Sequence, residues 1–82
     1  MAEVFDPKLA TAVGLLRMAR RWADTGSVHQ ALAAYREVLV NYPGTSVASA
    51  ATEDLVALAE SLEGQGHYYA ALDIFRMLEE LL

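Results

Sequence analysis

The feature that most constrains this chain is that it matches itself when shifted by 40 positions. Gly26 falls on Gly66, Ala31-Leu32 on Ala71-Leu72, Tyr35-Arg36 on Phe75-Arg76 and Leu15 on Leu55. Met18-Ala19 falls likewise on Leu58-Ala59, and Trp22 on Leu62. The matches are spread over the whole unit, as expected of an internal duplication. A chain of 82 residues is therefore two units of about 40 rather than one irregular domain. Residues 1–6 precede them as an N-terminal tail, with repeat one over 7–43 and repeat two over 44–82.

Each unit reads as two helices. Asp6-Pro7 has the form of a helix start, with Asp as N-cap and Pro at the first helical position, where its missing N–H costs nothing. Leu9, Ala12, Leu15, Met18, Ala19 and Trp22 then recur at three- and four-residue steps, which predicts one apolar stripe. Thr25-Gly26 ends the helix, and Ser27-Val28-His29-Gln30 has the form of a capping box for the next. In helix two Ala31, Leu32, Tyr35, Val38 and Leu39 are expected inward, with a stop at Tyr42-Pro43-Gly44. Thr45 or Ser46 opens helix three, whose inward positions are Ala51, Leu55, Leu58, Ala59 and Leu62. Gly64-Gln65-Gly66 turns the chain into helix four, from about Tyr68 to the end. No stretch alternates as a strand would, so the fold class is all-α: four helices in two antiparallel hairpins.

Composition narrows the chemistry. There is no cysteine, hence no disulfide, thiolate zinc site or cysteine nucleophile. The net charge of −5 argues against a nucleic-acid surface, which needs clustered Lys and Arg. No apolar run approaches the roughly 20 residues that span a bilayer. Met1–Asp6 lacks the basic and apolar regions of a secretory signal, so a cytoplasmic protein is expected. His29 and His67 are 38 positions apart, without a carboxylate at helical spacing to complete a metal face. Glu60 and Glu63 share a helix face, but paired carboxylates need enclosure to shift a pKa, and two hairpins offer little. Neither an enzyme nor a cofactor site is expected. Trp22 and Tyr35 read as core.

In its small and large positions the chain resembles the tetratricopeptide repeat family, whose signature is W-x2-L-G-x2-Y, then A-x3-F, then P. The first copy has Leu15-x2-Met18-Ala19-x2-Trp22, then Gly26, Ala31-x3-Tyr35 and Pro43. The second has Leu55-x2-Leu58-Ala59-x2-Leu62, then Gly66 and Ala71-x3-Phe75. The resemblance covers residues 7–82 and implies a minimal right-handed superhelix of two stacked hairpins. The period departs from the family's usual 34 or so. Its six extra residues are most simply placed in Gly44–Ser49 and a longer helix three.

Stacked repeats leave an apolar face on the last unit that normally needs a polar cap. Placed in register on helix two, helix four changes His29 to Tyr69, Gln30 to Ala70, Ala34 to Ile74, Glu37 to Met77 and Asn41 to Leu81. Ala70, Ile74, Met77 and Leu81 form one stripe, separate from Ala71, Leu72, Phe75, Leu78 and Leu82, which is expected to face inward. The first stripe with Tyr69 is thus the expected self-association interface of a homodimer or higher homo-oligomer. Charge supports pairing: residues 1–43 carry five cations and four anions, and residues 44–82 one cation and seven anions.

The resemblance also implies a concave groove between the first helices of the two units. Val13, Leu16, Arg17, Arg20 and Asp24 would form one wall, and Glu53, Val56, Ala57, Glu60 and Glu63 the other. The paired Lys and Asn with which some relatives grip a C-terminal carboxylate are missing, since Leu16, Arg20, Val56 and Glu60 stand there. A helix or extended peptide with apolar anchors suits this groove better. Two other possibilities stay open, an accessory subunit docking on a larger enzyme complex and a fragment of a longer scaffold.

Overall fold

The structure, a computed structural model, describes residues 6–82. Apart from Asp6, the expected N-terminal tail lies outside the described residues. Four helices follow one another: α1 (Pro7–Asp24), α2 (Val28–Asn41), α3 (Ser46–Gly64) and α4 (Tyr68–Leu81). Among the described residues there is no strand, and no helix is long and apolar enough to cross a membrane. The protein is all-α.

The helix boundaries repeat with the sequence, because α2 and α4 are related by a shift of 40 at both ends. The turns repeat as well. Gly26 (φ 82°) and Gly66 (φ 85°) each sit in the left-handed region that a glycine reaches without a Cβ clash. Around them Ser27 N–H donates to the Trp22 carbonyl and His67 N–H to the Leu62 carbonyl, both at 2.8 Å. Gly26 and Gly66 donate to the carbonyls of Ala23 and Glu63, which completes the same glycine-terminated cap twice. Asp6 caps α1 by accepting from the amides of Lys8 and Leu9, and Thr45 caps α3 through the Ala48 amide. Ser27 makes no side-chain cap, so the expected capping box does not form. Of the residues Gly44–Ser49, Ser46–Ser49 lie in α3, and the first helix of each repeat, α1 or α3, is longer than the second.

The helices pack as two hairpins, α1 on α2 and α3 on α4, joined through α3 against α2 and α1 and through α4 against α2. The repeated small residues Ala19, Ala31, Ala59 and Ala71 are all buried. Leu55, Ile74 and Val38 are the largest fully buried side chains. Burial of each contributes on the order of 1.5–3 kcal/mol.

Two expected orientations are corrected. On α1, Leu9 and Met18 are exposed and Leu16 is buried, while Trp22 is half-buried against the core. On α4 the stripe expected outward is buried, while the stripe expected inward is split, with Ala71 and Leu78 buried as expected. Ile74 (0% exposed) and Met77 (8%) are buried, with Ala70 and Leu81 packed beside them. Leu72, Phe75 and Leu82, expected inward, are exposed together with Tyr68 and Tyr69. The repeat supplies the reason. Gln30, Glu37 and Asn41 on α2 are exposed, with no preceding hairpin against them among the described residues, whereas α4 lies on α2. Their counterparts Ala70, Met77 and Leu81 are apolar and pack into the core, on the helix that meets α2.

Candidate functional site

The groove expected between α1 and α3 is partly assembled. Arg20 and Asp24 of α1 and Ala57 of α3 line one open depression of about 280 Å³, with Tyr35 of α2 at its base. Arg17 lines a second depression, on the outer side of α1, with Gly14, Met18 and Arg21. Glu63 lines a third, at the α4 end, with Tyr68, Leu72 and Phe75. Val13, Glu53 and Glu60 are exposed on their helices, and Val56 is half-buried. Leu16 belongs to the core and leaves the groove wall. Of the residues expected at a self-association surface, Tyr69 alone is fully exposed; Ile74 and Met77 are inside the chain.

Asp54, and not its exposed neighbour Glu53, organises the floor of the central depression. The Arg20 guanidinium holds the Asp54 carboxylate with two donors, Nε to Oδ2 at 2.6 Å and Nη2 to Oδ1 at 3.2 Å. The Tyr35 hydroxyl donates to the same Oδ2 at 3.0 Å. This fork is the ion pair present among the described residues, and it ties all three helices of the junction together. The hydrogen bond to Asp54, then its charge, holds the Arg20 proton more tightly than usual. Burial, reinforced by the neighbouring Asp54 charge, pushes the Tyr35 phenol well above its ordinary value. A signal for Asp54 was present: a tyrosine at the signature aromatic position needs a partner for its hydroxyl once buried, and α3 one helical face away offers a carboxylate.

The basic wall is therefore partly neutralised from within. Arg20 serves Asp54, leaving Arg17 and Arg21 on the outer face of α1, while Glu60 and Glu63 stand exposed on the last turns of α3. Both histidines are exposed, and among the described residues no three metal-ligating side chains cluster. Comparison of the chain with known protein families, with characterised proteins and with solved structures finds no match.

Proposed function

We propose that this chain is a non-catalytic protein-interaction module of tetratricopeptide type, working in the cytoplasm as a small adaptor or scaffold. The observation that carries the reading is the exposed face Tyr68–Leu72–Phe75–Leu82. On its α2 counterpart Tyr35 is buried with its hydroxyl on Asp54 of the second hairpin, and Leu32 and Tyr42 are half-buried against the core. A face that the fold covers once and leaves open once is a docking surface, because contiguous apolar area in water is disfavoured. Self-association through α4 stays part of the proposal, now by this face. The repeated glycine caps and the buried alanines at 19, 31, 59 and 71 support the family reading.

The second surface is the depression of Arg20, Asp24 and Ala57. It suits an extended or helical peptide with one apolar anchor, flanked by a basic and an acidic group. Selection of a random peptide library on the purified chain should enrich such sequences, and Ala57→Arg, at an exposed site, should abolish their binding with helicity unchanged. Peptides that bind the Ala57→Arg chain as well, or no enrichment at all, would remove the groove from the proposal.

A further inference from the structure

The three depressions are related by the repeat. The central one is the junction of the two hairpins, where Ala23 and Tyr35 of the first meet Asp54, Ala57 and Leu58 of the second. Moved forward by 40 positions, Ala23 and Tyr35 of its upstream half become Glu63 and Phe75, which line the open depression at the α4 end, while Arg20 and Asp24 become Glu60 and Gly64 beside it. Moved back by 40, its downstream half becomes Gly14, Arg17 and Met18, which line the open depression on α1. The two ends of the molecule are the two halves of a contact that the chain already makes once within itself.

Tyr35 and Asp54, a bonded pair inside the chain, change together at the open ends. Inside the chain the Tyr35 hydroxyl needs Asp54 as its acceptor, at 3.0 Å. At the open ends Tyr35 becomes Phe75, with no hydroxyl, and Asp54 becomes Gly14, with no side chain. Gly14 lies in the middle of α1, where glycine weakens a helix, and a Cβ there would meet nothing within 4 Å. Nothing inside the chain calls for the glycine, whereas an aromatic ring laid across α1 would. Leu58 becomes Met18, 47% exposed, whose flexible thioether adapts to a ring edge. The charges also match with reversed polarity: Glu60 and Glu63 stand on the α4 side, and Arg17 and Arg21 on the α1 side.

We infer that the occupant of the exposed α4 face is α1 of a second copy, seated as α3 sits on α2, with Phe75 over Gly14. This rests on the reading of the chain as an interaction module. Pairing α4 with α4 about a two-fold axis would instead bring the exposed acids Glu63 and Glu79 of both copies to one interface, where like charges oppose association. The head-to-tail contact is heterologous and so continues from copy to copy. It is smaller than the internal junction, since Gln30, Glu37 and Asn41 on α2 are polar where α4 has Ala70, Met77 and Leu81. Assembly is therefore reversible and concentration-dependent.

Sedimentation equilibrium over a wide concentration range tests this. The weight-average mass of the unaltered chain should climb past the dimer. Met18→Glu and Phe75→Glu, both at exposed sites, should each stay monomeric and helical. Mixed in equal amounts they should form a dimer and stop there, because one live head meets one live tail. Gly14→Gln should raise Tm in dilute solution, being the better helix former, yet weaken association about tenfold or more. A chain monomeric at every concentration overturns the inference. So does a dimer that grows no further and is lost with Phe75→Glu but kept with Met18→Glu. Peptide binding at Ala57, read on the monomeric variants, fails or succeeds independently of these results.

Discussion

Tyr35 and Phe75 hold the same place in the repeat, and their fates show how much a neighbour decides. Tyr35 is 2% exposed, with its hydroxyl on Asp54, while Phe75 is 39% exposed. The fork of Arg20 on Asp54 adds little by itself, because Arg20 is half in water and exposed pairs contribute about 0–1 kcal/mol. Its role is to orient the carboxylate toward a buried phenol. That phenol links stability to pH in a definite direction. The unfolded chain releases the Tyr35 proton near pH 10, whereas burial and the Asp54 charge hold it to higher pH in the fold. The contribution is complete below about pH 10 and is lost as pH rises beyond it. Ultraviolet titration should therefore show one of the four tyrosines ionising only as helicity falls. In Tyr35→Phe that late phase should vanish. Four tyrosines ionising together with the helices intact would contradict the burial argument.

Helix α4 carries two apolar stripes, and their energetic ranking can be measured directly. Ile74→Ala removes a fully buried side chain and should cost about 2–5 kcal/mol. In a domain of this size each kcal/mol lowers Tm by roughly 4–8 °C. Leu72→Ala, at a side chain 44% exposed, should change dilute-solution stability by about 0.5 kcal/mol or less. Equal costs, or the reverse order, would mean that the stripes are wrongly assigned. The number of helices, their ends and their turn glycines could be read from the sequence because those signals are local: Asp6-Pro7, Gly26 and Gly66 act within a few residues of themselves. The stripe could not. Periodicity reports the angle between side chains on one helix, not which neighbour lies over each angle. Comparing α4 with α2 did locate the changed residues, Ala70, Ile74, Met77 and Leu81. Their burial comes from the packing of α4 on α2, whereas among the described residues no helix covers the polar face of α2. On α1, Leu16 is buried in the core and Met18 faces outward. Asp54 was missed because two adjacent acids on a helix look alike until Tyr35 is seen beneath one of them.

In the whole molecule neither hairpin finishes its own core. Tyr35 of α2 is buried with its hydroxyl on Asp54 of the second hairpin, and α4, which carries the buried Ile74 and Met77, rests on α2 of the first. The buried residues form one cluster that runs through all four helices. Two units that share a core in this way should unfold as one, although repeat arrays are in general only as cooperative as the interfaces between neighbours. The chain contains its own probe for this. Its single tryptophan, Trp22, is half-buried in the first hairpin, while far-ultraviolet circular dichroism reports all four helices. Urea unfolding followed by the two signals should give one midpoint at a protein concentration too low for assembly. Ile74→Ala sits in the other hairpin, yet should move the Trp22 midpoint as far as the helical one. At higher concentration both midpoints should rise together, since copies bound head to tail stabilise the folded form by mass action. A Trp22 transition that ignores Ile74→Ala would mean that the internal junction transmits little free energy. A junction that weak could not serve as the template for a contact between copies, so this one comparison tests the coupling on which the larger assembly depends.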